Sequence, residues 1–314
     1  MERVALFGAT GAIGGSIAAA LRSQEREYRV VGRSRGELEK NFGSDPRAEI
    51  VTWNPDDPAS VRDAARGVDT IFYLVGVPYW QFELHPILMK KTLDGAIAEG
   101  VQRIVLIGTV YPFGRPQTER VREDHPRQPH TFKGQKRKEQ EDLVLAADAA
   151  GSIHGTILRL PDFYGPNVER SLVASAFQAA AKGGRAQLVG PIDTPHEFIY
   201  VPDAGPVALA LASEPKAFSR AWNLAGVGVI TQREFVEQVF REAGRNPKLL
   251  VANKTMLRLL GLFNPLMREL VEMHYLFETP VIMDDCALRS LLGDVHKTSY
   301  ADGIRETLRL TNRR

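Results

Sequence analysis

Residues Glu2 to Gly15 read ERVALFGATGAIGG, and this stretch limits the fold more than any other. A short apolar run, Val4 to Phe7, stops at Gly8. Gly11 and Gly14 follow at three-residue spacing, and an Ala-rich, helix-prone segment runs on to Arg22. Strand, glycine turn and helix in that order suit one kind of ligand. Gly8 permits the tight turn, Gly11 lets the backbone approach a pyrophosphate, and Gly14 lets the helix lie against the strand. The helix N-terminus then offers free N–H groups to the phosphates. Gly8, Thr10, Gly11, Ala12, Ile13 and Gly14 are therefore the candidate phosphate cradle, spaced G-x-x-G-x-x-G rather than the commoner G-x-G-x-x-G.

The second strand, Tyr28 to Gly32, runs directly into Arg33, Ser34 and Arg35. An acid closing this strand would hold the 2′-hydroxyl of NAD, whereas an arginine accommodates the 2′-phosphate of NADP. With Arg33 and Ser34 in place and no acid, the reading is NADP(H) over NAD(H). Further strands are expected at Glu49–Trp53, Thr70–Val75, Arg103–Ile107 and Ile153–Leu160, alternating with helices at Ala59–Arg66, Ile87–Glu99 and about Lys133–Ala150. That alternation predicts an α/β fold, a Rossmann-type doubly wound parallel sheet with ligands at the carboxyl ends of its strands. The sheet is expected from residues 1–165 with a return segment at 196–228. A smaller, mostly helical substrate-binding region is expected from 166–195 and 229–314.

Composition narrows the function. The 314 residues carry a net charge of +2, which gives no reason to expect a nucleic-acid or membrane partner. A single cysteine, Cys286, excludes an internal disulfide and suits a reducing cytoplasm. The histidines show no metal-ligand spacing, so no metal is expected. No apolar stretch approaches the ~18 residues needed to cross a bilayer. Met256 to Phe277 reads as one apolar helix, but Arg258, Asn264, Arg268, Glu269 and Glu272 interrupt it, so core or interface packing is expected there rather than a membrane.

The ordered motifs resemble the extended short-chain dehydrogenase/reductase family, also called the NAD-dependent epimerase/dehydratase family. GATGAIGG resembles its glycine loop, and Asn54 stands where that family has an aspartate near the adenine. Leu74-Val75-Gly76 resembles the strand end beneath the cofactor. Gly108 to Gly114 (GTVYPFG) looks like the segment carrying the active-site Ser/Thr, here Thr109. Leu158 to Pro166 (LRLPDFYGP) resembles LRxxNxYGP, with Pro161 at the cofactor and Asp162 replacing the usual Asn. His196 to Asp203 (HEFIYVPD) resembles a returning R-D-F strand, with His196 for the arginine, and Asn223 to Gly226 resembles the strand that follows.

What the resemblance implies about chemistry is qualified by its departures. The family pairs a catalytic tyrosine with a lysine four residues on. Read in that frame, this chain has Phe132-Lys133-Gly134-Gln135-Lys136, which keeps Lys136 and replaces the tyrosine by Phe132. Lys136 and Thr109 then become the candidate catalytic groups, with Tyr111 and Tyr164 as replacement acids. Asp162, His196 and the aromatic loop bearing Tyr79 and Trp80 would meet a small-molecule substrate. The expected activity is NADP(H)-dependent reduction of a small carbonyl or activated alkene. A catalytically degenerate NADP(H) sensor and an epimerase or dehydratase are the alternatives. The resemblance also suggests a homodimer through the helices at Ile87–Glu99 and Lys136–Ala150.

Overall fold

The computed structural model describes residues 2–169 and 171–311. Six strands and five helices alternate first: β1 (Val4–Phe7), α1 (Ala12–Ser23), β2 (Tyr28–Gly32), α2 (Arg35–Phe42), β3 (Ala48–Thr52), α3 (Pro58–Ala65), β4 (Thr70–Tyr73), α4 (Leu84–Ala98), β5 (Arg103–Thr109), α5 (Phe132–Ala149) and β6 (His154–Leu160). The chain continues through β7 (Asp162–Tyr164), α6 (Ala174–Lys182), β8 (Ala186–Val189), β9 (Pro195–His196), β10 (Phe198–Tyr200), α7 (Val201–Ser213), β11 (Arg220–Asn223), β12 (Ile230–Thr231), α8 (Gln232–Glu242) and β13 (Leu249–Ala252). Five helices close it: α9 (Lys254–Leu260), α10 (Pro265–Met273), α11 (Tyr275–Glu278), α12 (Cys286–Leu292) and α13 (Tyr300–Thr311).

Seven strands form one parallel sheet in the order β11-β6-β5-β4-β1-β2-β3. The order reverses around β1 and β4, which makes the carboxyl ends of those strands the natural ligand crevice. Helices cover both faces, so central strands such as β1 are apolar and buried throughout rather than alternating. One face packs Ile17 and Leu21 of α1 and Val207 and Leu211 of α7 against Leu6 and Val30. The other packs Val61, Met89, Leu93 and Val144 against Phe7, Ile71 and Ile104. A third core joins Tyr164, Phe177, Phe235 and Tyr300 in the C-terminal region.

The sequence reading missed α2, whose inward face consists only of Leu38 and Phe42, one helical turn apart, with Ser34 capping its start. The single helix expected over Met256–Phe277 is instead α9, α10 and α11. Asn253 and Asn264 cap fresh starts, and Pro265 occupies the first turn of α10.

The sheet's two edges differ. Beyond β11, the Asn223 N–H donates to Glu123 Oε1 at 3.1 Å and its side-chain amide donates to the Val121 carbonyl at 2.9 Å, so that edge is covered. At the other edge, β3 leaves Glu49 and Thr52 exposed and Ala48, Ile50 and Val51 half-buried.

Candidate active site

The glycine turn between β1 and α1 has the geometry that its sequence requires. Gly8 sits at φ 90°, and a Cβ there would lie 2.8 Å from the Leu74 carbonyl. A Cβ on Gly14 would lie 2.4 Å from the Ala9 oxygen, so only glycine lets α1 approach the turn this closely. A Cβ on Gly11 would meet nothing nearer than 3.7 Å, which leaves the backbone open on that side. Gly11 caps α1 without a side-chain hydrogen bond, and no acid stands in the first turn. These free N–H groups suit an anion. Arg33 is exposed and has no ion pair among the described residues, and Ser34 spends its hydroxyl on the Glu37 N–H. The residues present fit a dinucleotide pyrophosphate. Asn54 is engaged in a local turn, its Oδ1 accepting from the Asp56 N–H at 3.0 Å. Leu74 and Val75 are half-buried and Gly76 exposed at the end of β4, while Pro161 is buried after β6. A cleft of about 440 Å³ borders Thr10, Gly11 and Ala12 and runs along α1 toward Asn41, with Pro166 and Pro202 on its far wall.

At the carboxyl ends of β4, β5 and β6, a second cluster forms around Tyr111. The Tyr111 N–H reaches Thr109 Oγ1 at 3.4 Å, and its hydroxyl shares a 2.7 Å hydrogen bond with that of Tyr79. Burial, with Asp162 nearby, pushes the Tyr111 phenol up to about 12. Burial raises Tyr79 well above the usual phenol value, and Tyr111 adds to the effect. Both phenols are protonated at neutral pH, and one of the two protons lies in the bond between them. Tyr79 packs edge-on against Phe82, which also lies against His85.

Helix α5 presents Lys133 to this wall. Its ammonium lies 5.4 Å from the Tyr79 ring centre and 5.7 Å from that of Phe82, and the side chain is 1% exposed. It donates to Glu269 and Glu272 of α10, and the Lys133 N–H donates to Glu272 at 3.0 Å. One turn on, Arg137 is buried, donating to His85 Nδ1 at 3.2 Å and to the Ile107 carbonyl at 3.1 Å. Burial, and then the Arg137 charge, push His85 down to about 2, so the ring is neutral and accepts this bond. Burial also lowers Arg137, opposed by Glu141. A further turn on, Glu141 forms a two-pronged, fully buried pair with Arg159 of β6 at 2.9 and 2.7 Å, and Arg127 joins it at 3.1 Å.

The positions read from sequence divide accordingly. Thr109, Tyr111 and Tyr79 come together. Asp162 and His196 lie beside them and pair at 2.6 Å. Trp80 is 53% exposed and stands outside the wall. Tyr164 is wholly buried among Phe177, Tyr200, Phe235 and Tyr300, which corrects its candidacy as a replacement acid: it is a core residue. Phe132 is 48% exposed as the first residue of α5, and Lys136 lies over its ring, paired with Glu139 at 2.8 Å. The i, i+4 pair that faces inward is Lys133 and Arg137, one residue later than the frame read from the sequence. Thr131, whose hydroxyl accepts from the Gly134 N–H, fixes that phase by capping the helix. The capping threonine was the available signal. Among the described residues no three His, Cys, Asp or Glu side chains are grouped to hold a metal ion.

This fold and this loop define a Rossmann-type, doubly wound α/β protein. Residues 4–225 match the NAD dependent epimerase/dehydratase family, and the chain belongs to it. Among characterised proteins it is similar to a dTDP-6-deoxy-L-talose 4-dehydrogenase (NAD(P)(+)) of Kitasatospora kifunensis, 26% identical over 77% of this chain and 79% of that one. It is also similar to an epimerase family protein of Mycobacterium leprae, 27% identical over 83% of each. Among solved structures, the dTDP-glucose 4,6-dehydratase DesIV of Streptomyces venezuelae superposes with a TM-score of 0.83 at 19% identity, covering 99% of this chain and 97% of that one.

Proposed function

We propose that the protein is an NADP(H)-dependent oxidoreductase acting on a small, partly apolar carbonyl compound or activated alkene. The observation that carries this reading is Lys133, buried beneath an aromatic wall and in phase with Arg137. These two occupy the inward positions to which the family resemblance, read one residue later, assigns the tyrosine and lysine. A nicotinamide cofactor, when bound, would supply the hydride. Gly11, Ala12 and Ile13 would hold its pyrophosphate, and Arg33 would meet the 2′-phosphate. The Thr109 and Tyr111 hydroxyls would hydrogen-bond the substrate oxygen, with Tyr111 giving up its proton as negative charge develops there. Lys133 would bring its charge to that oxygen by exchanging one of its two carboxylate partners, Glu269 or Glu272, for it. Tyr79, Phe82 and Tyr111 would line the apolar side of the substrate. Two of the relatives named above, the dTDP-6-deoxy-L-talose 4-dehydrogenase and the dTDP-glucose 4,6-dehydratase, act on nucleotide sugars, so epimerase or dehydratase chemistry is an alternative. The clasp of Glu269 and Glu272 on Lys133 favours another alternative, a cofactor-binding sensor without turnover.

Fluorescence titration should show NADPH binding roughly tenfold tighter than NADH, because a charge-assisted phosphate contact contributes about 1.5–3 kcal/mol. Arg33→Ala should erase that preference, and equal losses for both cofactors would sink it. Single-turnover oxidation of NADPH against aldehydes, ketones and enones should fall about 10²-fold in Lys133→Met at unchanged NADPH affinity. Unaltered turnover there would return the role to Lys136. Tight NADPH binding with no hydride transfer to any compound supports the sensor.

A further inference from the structure

Helices α9 and α10 form a preset hairpin whose apolar tip has no cover. Asn253 caps α9 through the Met256 N–H at 2.9 Å, and Asn264 caps α10 through the Leu266 N–H at 2.9 Å. Gly261 lies between them, where a Cβ would come within 2.9 Å of Arg268 Cα. The tip is therefore held in shape by its own backbone. Phe263 is 90% exposed, Leu262 75%, Leu259 61% and Leu260 48%, while Leu257 alone in α9 is buried. Core packing accounts for Met273 to Phe277 but not for this tip.

The sequence through the tip is basic. Residues 243–268 contain Arg245, Lys248, Lys254, Arg258 and Arg268 and no Asp or Glu. Lys254 reaches Glu278 at 3.4 Å and Arg268 reaches Glu269 at 3.7 Å, whereas Arg258 has no ion-pair partner among the described residues. The acids of α10, Glu269 and Glu272, turn inward to Lys133. A second copy docking tip to tip would bring like charges together. A bilayer bearing anionic headgroups answers both features, because apolar side chains enter the acyl boundary while arginine and lysine meet phosphates.

We propose that the α9–α10 hairpin seats the protein on the surface of an anionic phospholipid bilayer. Leu259, Leu262 and Phe263 enter the boundary, and Arg258 and Arg268 contact headgroups. This is attachment to one leaflet; no described helix is long and apolar enough to cross a membrane.

Flotation of the full chain with vesicles tests it. Vesicles of phosphatidylcholine with one-third phosphatidylglycerol should bind at least tenfold more tightly than phosphatidylcholine alone, and 0.5 M salt should weaken the binding. Leu262→Ser with Phe263→Ser should lower it more than tenfold, and Arg258→Ala roughly fivefold. Phe263→Trp should show a blue-shifted indole emission on the anionic vesicles. The first pair of residues is too exposed to affect folding, which circular dichroism would check. Equal binding to both compositions, binding indifferent to the double serine variant, or no binding overturns the proposal. So does a concentration-dependent dimer that the double variant abolishes, which would assign the face to a second copy.

Discussion

Helix α5 and the α9–α10 hairpin face each other across the Lys133 clasp, yet they are built on opposite terms. In α5 three charged side chains, Lys133, Arg137 and Glu141, are buried, while Phe132 at its start is 48% exposed. In the hairpin tip Leu259, Leu260, Leu262 and Phe263 are outside, and two acids of α10 turn in. A buried charge is tolerable only when paired and hydrogen-bonded, so α5 is committed to the partners it has. An exposed leucine contributes almost nothing to the folded state, so the hairpin tip is free of such commitments. The difference teaches that polarity alone does not tell which face of an element is inside.

The largest test of that contrast is Glu141→Ala. It leaves the Arg159 guanidinium buried without its carboxylate and should cost about 3–5 kcal/mol in urea unfolding. Leu262→Ser in the hairpin should change stability by no more than about 0.5 kcal/mol. Similar costs at the two sites would break the comparison. Gly14→Ala should cost about 1–3 kcal/mol by pushing α1 off the turn, and NADPH titration should show affinity falling with it. Normal affinity in that variant would mean that the loop has another way to accommodate a Cβ. A pH-dependent effect is expected at His85. Its folded value is depressed below the unfolded ~6.5, so the unfolded chain takes up the extra proton. Its contribution is complete above pH 6.5 and is lost as the pH falls toward the folded value of about 2. The slope from this group is at most about 1.4 kcal/mol per pH unit. His85→Asn should flatten the melting temperature profile between pH 6.5 and 5, and an unchanged profile would show that the ring is not held neutral.

Much of the sheet was legible because its signals are local. Val4 to Phe7 is a continuous apolar run cut off by a glycine, and the strands at Thr70 and Arg103 repeat the pattern. The glycine loop was legible for the same reason. The phase of α5 was not. Lys133, Lys136, Arg137 and Lys138 are all cationic, so composition could not separate the inner stripe from the outer, and the apolar ring of Phe132 drew the frame one residue early. Nor could sequence show that Lys133 meets Glu272, 139 residues further along the chain. Sequence could not decide between an acid and a packing residue at Tyr164, because a strand end facing a ligand crevice and one facing a second core read alike.

The unequal edges of the sheet bear on how this protein behaves when crowded. A sheet extends by adding strands, and here the β3 side offers an uncovered ladder, while segment 121–123 meets the β11 side at Asn223. The β3 edge is thus the more open of the two to backbone pairing, and two copies that paired through it would use up that edge in each. Arg29 guards this place. Its guanidinium holds Glu49 at 2.9 Å and the carbonyls of Ala64 and Arg66 at 2.9 Å each. The ion pair sets fixed charge on the open edge, the feature that discourages strand-to-strand aggregation.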